Sequence, residues 1–139
     1  MRLTFFFLTT CFLFVVVGCS DHVPLGGKVV YSDDDSPLTV GEVCLETPNF
    51  TARGALGPVG TYTIGSLADA DGLPPGKYQV SILGATKFVG FDSSGNPINE
   101  PLIDRKYFRG STSGLEVEAK SGNRRFDFKV DRYVPKTSQ

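Results

Sequence analysis

Leu73-Pro74-Pro75-Gly76-Lys77-Tyr78-Gln79-Val80-Ser81-Ile82-Leu83 joins a double-proline turn directly to a strict alternation of apolar and polar residues. Pro75 fixes φ and lacks an N–H, Gly76 can take the φ of a sharp corner, and the period of two that follows suits a half-buried β-strand. Tyr78, Val80 and Ile82 then share one face, which a second layer must cover. The stretch predicts the central strand of a β-sandwich, with the loops before and after it placed by its two ends.

Composition agrees with an all-β chain. Gly 16 and Pro 9 are high for 139 residues, and the apolar residues fall in short runs between Gly, Asp, Ser and Pro clusters. Once the N-terminal segment is set aside, about 120 residues remain, enough for one core. With Lys+Arg 14 against Asp+Glu 15, the net charge is -1, and no basic face is concentrated enough to neutralise a phosphate backbone. No nucleic-acid partner is expected.

Met1-Arg2-Leu3 precedes an apolar run from Phe5 to Val17, which ends in Val16-Val17-Gly18-Cys19-Ser20. This reads as a secretion signal, since the run falls short of the roughly 20 residues of a membrane-spanning helix. Its end resembles the bacterial lipobox, which implies that Cys19 is diacylated and becomes the first mature residue. The alternative is an ordinary signal peptide cleaved at a small residue, with Cys19 an incidental thiol. Ser20 after the cysteine favours the outer membrane by the sorting rule of enteric bacteria. The expected division is a signal peptide over 1–18, a lipidated tether over 19–24, a sandwich domain over 25–133 and a frayed tail over 134–139. Cys11 lies in the discarded run, so a lipidated Cys19 leaves Cys44 without a disulfide partner, as a small buried apolar side chain. A catalytic thiol would need a histidine, and the only one is His22, in the tether.

Along the chain, Leu25 to Tyr31 reads as the first strand and Gly41 to Thr47 as the second. Asp33-Asp34-Asp35 between them is expected to be a solvated turn, because successive carboxylates diverge and no second acidic element completes a cation's sphere. Asn49-Phe50-Thr51 fits a glycosylation pattern that carries little meaning in a bacterium. Gly57-Pro58-Val59 is expected to turn a hairpin between Thr51–Leu56 and Gly60–Gly65. Asp69-Ala70-Asp71-Gly72 is half of a calcium-loop pattern and lacks its closing Glu, so it reads as a surface loop. Residues 84–101 are expected to form a long loop, whose Phe88 and Phe91 either stack on a ligand or, the preferred reading, tuck against the sandwich edge. Leu115, Val117 and Ala119, then Phe126, Phe128 and Val130, alternate with polar residues about Ser121-Gly122-Asn123, and predict a second hairpin.

The order of Gly27-Lys28-Val29-Val30-Tyr31, Gly41-Glu42-Val43, Gly60-Thr61-Tyr62-Thr63-Ile64, Asp71-Gly72-Leu73-Pro74-Pro75-Gly76-Lys77-Tyr78, Lys106-Tyr107-Phe108 and Thr112-Ser113-Gly114-Leu115 resembles small bacterial lipoproteins with a carboxypeptidase regulatory-like, or transthyretin-like, domain. The resemblance runs from about residue 25 to 131. It implies a seven-stranded Greek-key sandwich of the prealbumin type, without catalytic activity, and supplies no functional residue to carry over. Phe108-Arg109-Gly110-Ser111 echoes the C-terminal Tyr-Arg-Gly-Ser of the related 5-hydroxyisourate hydrolases, but Phe replaces Tyr, the tetrapeptide is internal and no histidine is left to act as base. No catalytic residue, cofactor or metal is expected. Two readings remain: a lipid-anchored structural or protein-interaction module of the cell envelope, or a module that binds polysaccharide or another small ligand. An exposed aromatic platform would separate them.

Overall fold

A computed structural model describes residues 25–65 and 72–136. The signal segment, Cys19 and its tether, most of the Asp69-Ala70-Asp71-Gly72 pattern and the last three residues of the tail lie outside the described residues.

The fold is all-β, with nine strands and two four-residue helical turns among the described residues. In chain order the strands are β1 (Gly26–Tyr31), β2 (Glu42–Thr47), β3 (Phe50–Ala55), β4 (Thr61–Thr63), β5 (Gly76–Leu83), β6 (Thr86–Phe91), β7 (Pro97–Pro101), β8 (Leu115–Ala119) and β9 (Phe128–Val130). They form a four-stranded sheet in the order β3-β2-β5-β8, a three-stranded sheet in the order β4-β1-β9 and a separate β6-β7 pair. Apolar residues of the first two sheets meet in one core: Val43, Leu45, Tyr78, Val80, Ile82 and Val117 from one side, Val29, Tyr31, Tyr62, Phe128 and Val130 from the other.

The opening stretch does what its alternation dictates. β5 is interior to its sheet, with β2 and β8 as antiparallel neighbours. Tyr78, Val80 and Ile82 are buried together. Tyr78 donates its hydroxyl proton to the Pro74 carbonyl at 2.7 Å, so the turn that launches the strand also satisfies its buried phenol.

The outer face of this sheet is partly covered as well. A 3-10 turn (Arg105–Phe108) and a single α-turn, α1 (Gly110–Ser113), lie across β5. Ser113 donates its hydroxyl proton to the Val80 carbonyl and accepts the Leu115 N–H, and Ser81 and Cys44 on the same sheet are buried.

Three expectations need correction. The segments on either side of Gly57-Pro58-Val59 do not form a hairpin within one sheet: β3 pairs with β2, and β4 with β1. A bridge between Arg53 and Gly65 links the two across the corner of the sandwich. The segments about Ser121-Gly122-Asn123 separate in the same way, β8 onto β5 and β9 parallel to β1. In each case both apolar faces still reach the core, from opposite sheets, an arrangement that alternation alone cannot tell from a hairpin.

The third correction concerns residues 84–101, which form the β6-β7 hairpin instead of a loop. The Gly, Ser, Asn and Asp residues that gave the segment its irregular look are concentrated in its turn. There Asp92 accepts the N–H groups of Ser94 at 2.8 Å and Asn96 at 2.9 Å, together with the Asn96 side-chain amide at 3.0 Å. The two strands make their principal contacts with each other. Phe88 and Phe91 are therefore exposed, not tucked inward.

Candidate interaction surface

Register fixes what each face of the hairpin carries. Thr86 lies opposite Pro101, Lys87 opposite Glu100 and Phe88 opposite Asn99; a bulge at Val89 then brings Gly90 opposite Ile98 and Phe91 opposite Pro97. Phe88 and Phe91 thus return to the same face, with ring centroids 5.1 Å apart and planes at 68°. Lys87 and Glu100 pair at 3.3 Å on the other face, where Ile98 also sits. Phe88 is 57% exposed, Phe91 67%, Val89 45% and Ile98 43%. Apolar side chains are thus left in water on both faces of the hairpin, which on a small domain marks a contact surface.

The sequence singled out Phe88 and Phe91, and the structure brings them together. It noted Ile98 in the same segment and missed Val89 and the two prolines of β7. The available signal was Asp92-Ser93-Ser94-Gly95-Asn96, a compact turn motif between two short apolar segments.

A concavity of about 420 Å³ lies on the outer face of the four-stranded sheet. Its floor is a cross-strand row of Arg53, Cys44 and Ser81 on β3, β2 and β5. Glu46, Gln79, Phe108 and Arg109 line it further. Gly110 closes one side so tightly that a Cβ there would stand 2.6 Å from Glu46 Oε1. Burial, reinforced by Glu46, pushes the Cys44 thiol up, which keeps it protonated and unreactive.

Elsewhere several charged groups pair with one another. The aspartate turn is tied to the last strand: Arg132 donates to Asp33 at 2.8 Å and to Asp34 at 2.9 Å, and Lys129 reaches Asp35 at 2.6 Å. The Arg132 guanidinium lies over the Tyr31 ring, 3.7 Å from its centroid. Hydrogen bonds from Ser36 hold the Asp34 carboxyl down at about 2. Among the described residues, no cluster of His, Cys, Asp and Glu has metal-binding geometry, and no helix is long and apolar enough to cross a membrane.

No protein-family model and no curated protein matches the sequence. Two solved structures are similar to it. A DUF3823 family protein from Bacteroides ovatus ATCC 8483 is 18% identical with a TM-score of 0.45, over 81% of this chain and 45% of that one. A 9R-lipoxygenase from Cyanothece PCC8801 is 15% identical with a TM-score of 0.37, over 78% of this chain and 16% of that one. This chain therefore spans less than half of either protein, and neither likeness bears on function.

Proposed function

We propose that this chain is a non-catalytic module of the bacterial cell envelope, exported behind residues 1–18 and lipid-anchored through Cys19, which works by holding another envelope protein. Its fold is read more finely as the seven-stranded Greek-key sandwich of transthyretin-like, carboxypeptidase regulatory-like domains. The three- and four-stranded sheets around one core support that reading, with the hairpin as an addition between β5 and β8.

The observation that carries the functional reading is the exposure of Phe88 and Phe91 on a hairpin whose strands pack mainly on each other. A domain with a net charge near zero has no electrostatic hold on a bilayer or a nucleic acid, so recognition falls to its apolar surface. The test is crosslinking in the native envelope from a photoreactive residue at position 91, followed by recovery of the lipoprotein. A single stoichiometric protein adduct, lost when Phe88→Ser is added, is the expected result, and none would overturn the reading. The anchor is tested apart from it: Cys19→Ser should move the protein from the detergent phase to the aqueous phase.

The second reading, binding of envelope polysaccharide, draws on the outer groove, where planar groups of Arg53, Gln79 and Arg109 lie with Phe108. The Phe pair supports it less, since rings inclined at 68° cannot both lie flat on one sugar chain. Retention on envelope polysaccharide that Arg109→Ala abolishes would favour it.

A further inference from the structure

The concavity on the outer face of the four-stranded sheet continues into a neighbour of about 430 Å³, with which it shares Glu46 and Gln79. Lys77, Gln79, Ser81 and Leu83 alternate along β5 toward this face, so the combined groove follows the strand for about 20 Å at the usual rise. At its Ser81 end, Thr51 and Arg53 of β3 stand on one side and the turn at Phe108–Ser111 on the other. Each half has the volume of a small-ligand site, roughly 300–1,000 Å³.

What the groove offers a ligand is side chains. β2 and β5 are interior to their sheet, with strands on both sides, so their main-chain groups largely pair within it. An extended peptide read through its backbone would find few partners here. The floor and sides instead present the amide of Gln79 and the hydroxyls of Ser81, Thr51 and Ser111. Each of these groups both donates and accepts, as the hydroxyls of a sugar do.

The charges narrow the choice of sugar. Arg53 pairs with Glu42 at 3.5 Å, whereas among the described residues Arg109 has no acidic partner and Glu46 no basic one, although both line the same concavity. A guanidinium presents parallel N–H groups that match a carboxylate, and an ionised Glu46 only accepts, which suits hydroxyl donors. Its negative charge also disfavours a multiply charged anion such as phosphate. The lack of a side chain at Gly110 lets the turn that carries Arg109 close on Glu46, since a Cβ there would meet Glu46 Oε1 at 2.6 Å and Gln79 Cβ at 3.0 Å. A ligand that answers both charges carries one carboxylate beside several hydroxyls.

We propose that the outer groove is a subsite for a uronic acid residue of an acidic polysaccharide, with Arg109 on the carboxylate, and Glu46 and Gln79 on the ring hydroxyls. This rests on the second reading above, that the groove holds polysaccharide, and names the sugar. It is independent of the hairpin surface. Arg53 adds positive charge on the far side of the groove, and the adjoining concavity gives room for the next sugar of the chain.

The test is an NMR titration of the full chain with trigalacturonate and, separately, with its fully methyl-esterified form, which keeps the hydroxyls and removes the charge. Amide shifts should centre on Gln79, Ser81 and Gly110, and the acid should bind about tenfold tighter than the ester, the difference between a charge-assisted and a neutral hydrogen bond. That advantage should shrink as salt is added. Arg109→Gln should bring the acid down to the affinity of the ester, and Glu46→Ala should weaken the ester; amides of β1 and β9 report that each variant is folded. The comparison of acid with ester needs no variant. Equal binding of the two would overturn the uronate assignment and leave the polysaccharide reading standing, whereas binding of neither at millimolar concentration would overturn both. Shifts centred on Arg124 and Arg125 instead would reduce the effect to general attraction of an anion and overturn the proposal. So would dialanine that displaces trigalacturonate from the same amides at equal affinity, which would make the occupant a peptide end.

Discussion

Tyr107 donates its phenol proton to Oδ2 of Asp131 at 3.0 Å, and the Asp131 backbone N–H donates back to the same phenol oxygen at 3.3 Å. The exchange ties the 3-10 turn over the outer face of β5 to the end of β9, and so fastens two elements 24 residues apart in sequence. Lys106 Nζ at 2.7 Å and Ser32 Oγ at 2.7 Å complete the ring around the carboxylate.

These bonds favour the ionised carboxylate. The hydrogen bond from Lys106, then those from Ser32 and Tyr107, hold the Asp131 carboxyl at about 2, below its ordinary 3.8. A depressed folded-state pKa contributes stability that is fully present above the unfolded value and is lost as pH falls through the folded one. Asp34, held at about 2 by Ser36, acts in the same window. Acid unfolding should therefore steepen between about pH 4 and pH 2. Asp131→Asn should be less stable than wild type at pH 7 and converge with it at pH 2. Urea midpoints across that range check this, and a gap between the two proteins that does not change with pH would refute it.

Much of the sandwich was legible because burial imposes a period of two. β1, β2, β5 and β8 lie within about a residue of where alternation puts them. Partner choice was not legible. Leu115–Ala119 and Phe128–Val130 have the same pattern whether they pair with each other or part to opposite sheets, because both arrangements bury the same side chains. The hairpin was missed for the opposite reason. Nothing in it is buried in the core, so Thr86–Phe91 lacks the signal that marks the other strands, and only the turn chemistry of 92–96 remained to be read. The ion pairs of the aspartate turn join residues up to 99 positions apart and leave no local trace. Cys19 lies outside the described residues, and its reading still rests on the lipobox resemblance.

Gly27 marks the tightest approach in the three-stranded sheet. A Cβ there would stand 1.8 Å from the Phe126 carbonyl oxygen, which also accepts the Tyr62 hydroxyl at 2.7 Å. Both neighbours are held, one by the backbone and one by burial, which raises the Tyr62 phenol pKa well above its ordinary value. Gly27→Ala should push the 124–127 segment off β1 and cost about 3 kcal/mol, the upper end of overpacking penalties. Tyr62→Phe, which removes only the hydrogen bond, should cost about 1 kcal/mol. Chemical denaturation of the two variants gives the ranking, and the reverse order would show that the carbonyl is free to move.

Tyr78 separates packing from hydrogen bonding at the centre of β5. Its ring packs edge-on against Phe50 with centroids 6.0 Å apart and is 4% exposed. Tyr78→Ala should cost about 3–5 kcal/mol, the range for emptying an aromatic site. Tyr78→Phe loses the bond to Pro74 alone and should cost about 1 kcal/mol. Gln79→Ala, on the outer face, is the control, and should shift the urea midpoint least of the three.

Phe88 and Phe91 should behave oppositely to Tyr78. Their sequence context suggested that removing them would cost burial, but each ring keeps more than half of its surface in water, and each finds part of its contact in the other. Replacing them therefore removes little that folding gains. The Phe88→Ser/Phe91→Ser double variant should alter global stability by no more than about 0.5 kcal/mol, as for surface sites in general. Two buried phenylalanines would be worth about 3 kcal/mol or more each. The same substitution should raise the concentration at which the protein begins to self-associate, because it removes the largest apolar side chains from an unpaired edge. Thermal unfolding and light scattering on one preparation decide between the two accounts. A large fall in melting temperature would mean that the hairpin leans on the sandwich in solution, and equal stability with greater solubility would mean that its phenyl rings are kept for something outside the chain.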